Sequence, residues 1–377
     1  MSGHRPTLSL QILAGRAEGL ADLLAHHRDL WDEAVVVDTG AGEAGAVAVA
    51  AGAEAARHPW NDDFAAARNT GLEAATADWI LILDTDELIA PQDFATVRAA
   101  LADPPSIRIM TTINYYGDPR HPEWRPVSGR YPAQEAGQTG CFLAGRAGLF
   151  PRRDDLRFRG CIHESIVADA TRAGLPQATL DVAVHHYGYV LDPARNAARN
   201  RRDAALVRRK HAAAPQDPAA CLELASVLLT EGRVADARAL LERLAAHAPV
   251  DSAVTRGRFL LGRLLREGGD LDAAAALLAR AVADDPRLLH CWLERIRVEA
   301  AREAWPRCHE LLAEARARFG DDPLLDREDL RALIKTGRLA EAAATVDRLR
   351  SREPGWQDLA GLADRLRRLT GGGSREI

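Results

Sequence analysis

Up to about position 190 the chain alternates two hydrophobic patterns. LSLQILA (8–14), AVVVD (34–38) and WILIL (79–83) are short, nearly continuous apolar runs, as in strands buried on both faces of a sheet. Between them lie EGLADLLAHHRDL and WNDDFAAARNTGLEAA. In the second, a helix is expected from about Asp62, because Phe64, Ala67, Gly71, Leu72 and Ala75 share one arc at about 100° per residue. Such alternation predicts an α/β domain with a mostly parallel, Rossmann-like sheet and helices on its faces. After residue 190 the strand-like runs stop, and Ala/Leu/Arg-rich helix punctuated by Gly and Pro takes over.

The second half repeats. Ala237, Ala274, Cys308 and Ala342 stand 37, 34 and 34 residues apart. Leu224-Ala225, Leu261-Gly262 and Asp329-Leu330 precede their small residues by a constant interval, Gly232, Gly269 and Gly337 mark turns, and Pro249, Pro286 and Pro354 close units. This resembles the tetratricopeptide array, a 34-residue helix–turn–helix whose small residues let paired helices approach. The unit at 289–322 fits worst, with Arg295, Glu299 and Gly320 where Leu, Tyr and Pro are usual. The expected organisation is an α/β domain over 1–190, a linking helix over 191–215, about four repeats over 216–355, a capping helix over 356–369 and a disordered tail over 370–377.

Composition narrows the classes. A chain of 377 residues exceeds one ordinary core, which agrees with two domains. It is 47% hydrophobic and 27% charged with a net charge of -5, so it lacks the basic field that nonspecific nucleic-acid binding needs. No apolar run reaches the ~20 residues of a membrane-spanning helix. The opening residues show no signal-peptide pattern, and five scattered cysteines without a Cys-x-x-Cys suit reduced thiols; a cytoplasmic location is expected.

Candidate chemistry begins where WILIL runs into Asp84-Thr85-Asp86-Glu87. Acids at the carboxyl end of a buried strand lie where open α/β sheets bind ligands. If the chain stayed extended there, Asp84 and Asp86 would face one space and call for a shared proton or a hard cation such as Mg²⁺ or Mn²⁺. The alternative is an acidic turn capping the next helix. Asp38 ends the second run, as a nucleotide-binding acceptor or an Asx turn. GAGEAG (40–45) spells a dinucleotide fingerprint, but Asp38-Thr39 separates it from its strand and no acid ends the weak stretch AEAARHPW, so a dinucleotide oxidoreductase is not supported. Arg68, within the apolar arc, either snorkels outward or meets an anion, and that anion is a diphosphate or the partner in a structural ion pair. In CIHES (161–165) the position of a second zinc-protease histidine holds Val167, so Glu164 is left as a general-base candidate. In VHHYGY, His186 is a candidate metal ligand. No Gly-rich basic loop opens the first strand, which argues against a nucleotidyltransferase.

Taken in order, VVDTG, WNDDFAAARN, WILILDTDE, GCIHE and HHYGY followed by the repeats resemble family 2 glycosyltransferases fused to tetratricopeptide repeats. The resemblance implies a GT-A fold and metal-dependent, inverting transfer of a sugar from a nucleotide-diphosphate sugar, UDP- or GDP-linked. It casts Asp38, Arg68 and Asp84 as nucleotide-sugar contacts. Asp84, Asp86 and His186 become ligands of Mn²⁺ or Mg²⁺, and Glu164 the base that activates the acceptor. The chain departs from the family at Arg16-Ala17, where Asn-Glu is usual, at Ala41-Gly42-Glu43, where Ser-Thr-Asp is usual, and at Gly148, where an Arg precedes Leu-Phe. Some relatives modify peptide side chains and repeat arrays offer concave grooves, so a peptide or protein acceptor is expected, with a saccharide or lipid carrier as alternatives. The repeats alternatively form a homodimer interface. The competing expectation is a noncatalytic repeat scaffold carrying a degenerate transferase domain.

Overall fold

The computed structural model describes residues 5–119, 121, 123–190, 193–352 and 359–371. Two compact units divide between Leu206 and Val207. The first contains, in order, β1 (Leu8–Ala14), α1 (Leu20–His26), β2 (Glu33–Asp38), α2 (Glu43–Ala50), β3 (Glu54–Arg57), α3 (Phe64–Ala74), β4 (Trp79–Asp84) and β5 (Glu87–Ile89). It continues with α4 (Phe94–Ala100), β6 (Ile107–Tyr115), β7 (Arg125–Pro126), β8 (Gly140–Pro151), α5 (Val167–Arg172) and β9 (Gln177–His186). Helix α6 (Pro193–Ala213) runs across the division in sequence.

One sheet has the order β3-β2-β1-β4-β8-β6-β9-β5, with β7 beside β8. The expected parallel pairing holds from β3 to β4 and again between β6 and β9, while β8 pairs antiparallel with both its long neighbours, so the sheet is mixed. The three apolar runs become the adjacent strands β2, β1 and β4, whose Leu8, Leu10, Ile12, Val35, Val36, Ile80 and Leu81 are fully buried. AEAARHPW does form a strand: β3 pairs only with β2, and as an edge it tolerates polar residues that a central strand would not. Helix α3 starts at Phe64, with Asp63 capping by accepting a hydrogen bond from the Ala66 amide at 2.9 Å.

The second unit is helical: α7 (Pro218–Thr230), α8 (Val234–Ala245), α9 (Ser252–Glu267), α10 (Leu271–Asp284), α11 (Leu289–Ala301), α12 (Trp305–Phe319), α13 (Pro323–Lys335), α14 (Leu339–Arg352) and α15 (Leu359–Gly371). Ala237, Ala274, Cys308 and Ala342 each sit on the second helix of a pair and are all fully buried. Gly232, Gly269 and Gly337 turn between paired helices with φ of 75°, 86° and 73°. In the poorly matching third unit Glu303 does the same at φ 57°. The expected closing Pro354 lies outside the described residues, as do the first residues of the expected capping helix. Of the expected tail, residues 372–377 lie outside them, and 370–371 belong to α15.

Candidate active site

Beyond the carboxyl ends of β1, β2 and β4 opens a cleft of ≈ 710 Å³. Its lining includes Arg16, Thr39, Trp60, Arg68, Asp84, Asp86, Glu164, His186 and, from the first turns of α6, Arg199 and Arg202.

Five of the six expected site residues line this cleft, but their partners differ from expectation. Asp38 is the exception. Only 2% exposed, it accepts hydrogen bonds from the Gly40 and Gly45 amides, both at 2.7 Å. Its carboxylate is thereby spent on folding the loop after β2, the Asx-type alternative, and Thr39 rather than Asp38 faces the cleft. The glycines of GAGEAG serve that loop: a Cβ on Gly40 would lie 2.4 Å from the Gly15 carbonyl oxygen, and Gly42 adopts φ 105° at the start of α2.

Arg68 likewise departs from the expected phosphate contact. It is 4% exposed, pairs with the Asp84 carboxylate, and donates from Nε to Glu164 Oε1 at 3.2 Å. A buried guanidinium needs carboxylate partners to offset its lost hydration, and here two come from segments far apart in sequence. Burial works against the Arg68 charge, but Asp84 and Glu164 outweigh it and raise its pKa. Burial would also raise the Asp84 pKa, yet Arg68 and Arg146 hold it below the usual carboxylate range. Helix α3 brings Glu164 within reach: Asn69 exchanges hydrogen bonds with the Phe158 amide and carbonyl at 2.8 and 3.1 Å, and the Phe64 amide donates to the Cys161 carbonyl at 3.0 Å. His163 beside Glu164 is held in the left-handed region at φ 49°, backbone strain of a kind that clusters at functional sites.

Asp84 and Asp86 do not alternate along one strand, because the chain turns at Thr85-Asp86 between β4 and β5. The expected trio of ligands is therefore split, with Asp84 turned onto Arg68 while Asp86 faces His186. Asp86 Oδ2 lies 3.7 Å from His186 Nε2 and 3.6 Å from Arg199 Nη1. Among the described residues no three His, Cys, Asp or Glu side chains gather as a ready metal cage.

Asp86 and His186 nevertheless suit a divalent ion. Asn114 Nδ2 donates to the Phe142 carbonyl at 3.4 Å, which directs its Oδ1 to His186 Nδ1 at 2.8 Å. The Nδ1 proton is thereby fixed, and the Nε2 lone pair of the neutral ring faces the Asp86 carboxylate, so two acceptors confront each other across a gap that calls for a proton or a metal. Burial opposes a charge on His186, but Asp86 and the neighbouring carboxylates prevail and raise its pKa. The gap stays open because residue 188 is glycine: a Cβ there would lie 2.5 Å from His186 Nε2 and 2.6 Å from Asp86 Oδ2. One carboxylate with the remaining positions left to substrate phosphates and water is how Mg²⁺-type ions are commonly bound, and the imidazole adds a nitrogen donor to it.

Several contributors escaped the sequence reading. Glu87 is buried, pairs with Arg146 of β8 and accepts from the Asp84 amide at 2.9 Å, which fixes the turn. Gly148, the departure noted in β8, is the extra residue of a β-bulge between Ala147 and Leu149, and Arg146 beyond the bulge supplies the guanidinium. Gly188 lay within HHYGY without being singled out, Asn114 carries no motif, and the signal for Arg199 and Arg202 was the arginine density of PARNAARNRRDAALVRRK.

Two family models match this architecture in part. Residues 17–156 match the family model described as glycosyl transferase family 2, and residues 197–258 match tetratricopeptide repeat. A TPR repeat-containing protein of Synechococcus elongatus is 31% identical over 288 residues, 74% of this chain; the chain spans 66% of that relative's length. Solved structures similar to the chain include a thermophilic TPR protein of Thermus thermophilus, 25% identical over 46% of this chain and 93% of that one with a TM-score of 0.36. Another is MamA AMB-1, 19% identical over 42% and 93%, with a TM-score of 0.37. The mixed sheet with its carboxylate-lined rim and the buried small-residue repeats agree with the two matches: residues 17–156 form a glycosyl transferase family 2 domain, and residues 197–258 a tetratricopeptide repeat.

Proposed function

We propose that the cleft transfers a sugar, with inversion, from a nucleotide-diphosphate sugar to an acceptor. The observation that carries this reading is the convergence of Asp84, Asp86, Glu164 and His186, from three separate segments, on one cleft beside Arg199 and Arg202. The acceptor's nucleophilic atom attacks the anomeric carbon from the face opposite the departing diphosphate, and its proton passes to a Glu164 carboxylate oxygen. Arg68 holds Glu164 and Asp84 in fixed relation, so the base is positioned before the acceptor arrives. Asp86 and His186 are the residues that would hold Mn²⁺ or Mg²⁺, which supplies positive charge where the leaving diphosphate becomes negative. In this reading the base and ribose of a UDP- or GDP-sugar lie along Thr39, Arg16 and Trp60, which line the cleft, with Asp38 acting behind them through the loop it folds. The repeats support a peptide or protein as acceptor, since stacked helix pairs present extended binding surfaces.

A noncatalytic scaffold is the second reading, motivated by the internal pairing of Asp38 and Arg68. One experiment separates them: titration of the chain with UDP and GDP, with and without Mn²⁺, followed by a screen of the matching nucleotide sugars for Mn²⁺-dependent hydrolysis. The catalytic reading expects metal-dependent nucleotide binding that Asp86→Asn abolishes. Glu164→Gln should retain that binding while transfer falls about 10²–10⁴-fold, the span of general-base catalysis. Absence of metal-dependent binding in the wild-type chain would establish the scaffold reading.

A further inference from the structure

The hollow above Gly188 has three polar walls, of which the metal reading uses two. The third is Arg199. An ideal Cβ on Gly188 would stand 2.8 Å from Arg199 Nη1, nearly as close as it stands to His186 Nε2 and Asp86 Oδ2. A guanidinium nitrogen, an imidazole nitrogen and a carboxylate oxygen therefore border one point, and the guanidinium already serves as the cation that Asp86 requires.

Arg199 is held lightly. Its Nη2 donates to the Gly188 carbonyl at 3.2 Å, its guanidinium lies 5.6 Å from the Tyr189 ring centre, and its side chain is 28% exposed. Tyr189 is itself 44% exposed. Arg202 lies three residues on, on the same face of α6. It differs in being bound to Asp203 at 2.9 Å and set against the Trp60 and Phe64 rings. Of the two α6 arginines in the cleft, Arg199 is the one that borders the gap between Asp86 and His186.

A dication between Asp86 and His186 would meet the Arg199 charge at contact range, where repulsion is steep and water screens it poorly. The two cations compete for one carboxylate. A diphosphate resolves the conflict, because it offers oxygens both to the metal and to a guanidinium fork. Resting on the nucleotide-sugar reading above, we propose that Arg199 is a displaceable counter-cation: it neutralises Asp86 in the empty cleft, yields that carboxylate to the metal, and turns to the donor's diphosphate. The consequence is coupled loading, in which metal alone binds weakly and metal with nucleotide binds tightly.

The test measures free Mn²⁺ by electron paramagnetic resonance in titrations of the full chain, alone and with saturating UDP or GDP, for wild type, Arg199→Ala, Arg199→Gln and Arg199→Lys. Expected is a tenfold or greater gain in affinity for Mn²⁺ alone in the Ala and Gln variants, a smaller tightening by nucleotide in both, and wild-type behaviour in the Lys variant. A merely structural Arg199 would not improve metal binding on removal, and the Gln variant keeps a donor for the Gly188 carbonyl. Unchanged or weakened binding of Mn²⁺ alone in both neutral variants overturns the proposal. Wild type that binds no nucleotide even with Mn²⁺ overturns the glycosyl-transfer reading and this inference together, whereas normal wild-type coupling with unaltered variants removes only the inference.

Discussion

At the scale of single residues, the site is governed by which charges the fold pairs. Asp84 and Glu164 were legible as candidates because acids at a strand end and beside a histidine carry chemistry. Arg68 was legible as a cation in an apolar arc, but its partners were not, since Glu164 lies 96 positions away. The bridge has a testable weight. Arg68→Met keeps volume and apolar contact while leaving Glu164 without its cation and Asp84 with Arg146 alone, so stability should fall by about 3 kcal/mol, the lower end for breaking a buried pair because Asp84 is 47% exposed. Urea denaturation with an unchanged m-value would measure it; a stability equal to wild type would show that the bridge contributes nothing net.

At the scale of elements, β5 shows how a short strand is held beside the site. His27, fully buried at the end of α1, places Nδ1 2.8 Å from the Leu23 carbonyl and accepts the Ile89 amide proton on Nε2 at 3.0 Å. A second proton on that ring would destroy the Ile89 hydrogen bond, and burial lowers its pKa from 6.5 to about 4. Between these values the unfolded chain binds the proton and the folded chain does not, so this contribution is complete above pH 6.5 and is lost as pH falls towards 4. The loss reaches about 3 kcal/mol at the acid end. Denaturation at successive pH values should show that slope flattened in His27→Gln; an identical pH profile in the variant would count against the assignment. In the repeats, the third unit departs from the usual residues yet keeps the helical hairpin. An ionic ladder crosses it, with Glu294 paired to Arg266 and to Arg297 at 3.3 Å, and Arg297 to Glu328 at 2.7 Å. Its turn takes a left-handed residue without glycine, and Glu303→Gly should relieve that cost and stabilise the unit by about 0.5–1 kcal/mol, read as a rise in the helical unfolding midpoint.

At the scale of the whole molecule, each unit has its own core. Leu8, Ile12, Leu81 and Leu83 belong to one cluster under the sheet, and Ala237, Leu241, Ala274 and Leu278 to another within the repeats. Overpacking the second should therefore spare chemistry in the first. Ala274→Leu, at a fully buried small-residue position, should cost about 1–3 kcal/mol in the helical unit while Mn²⁺-dependent UDP or GDP binding stays at its wild-type value. Nucleotide affinity that falls in step with helical stability would contradict that separation. The sequence by itself determined β1, β2 and β4, helix α3 and the buried small residues at Ala237, Ala274, Cys308 and Ala342, because hydrophobic spacing and small or turn residues act over one or two elements. Tertiary structure alone decided that Asp38 folds a loop, that Arg68 bridges two acids, and that Asp86 meets His186 and Arg199 above Gly188. A carboxylate takes whatever donor the packed chain brings within about 3 Å, and no local pattern records which segments those are.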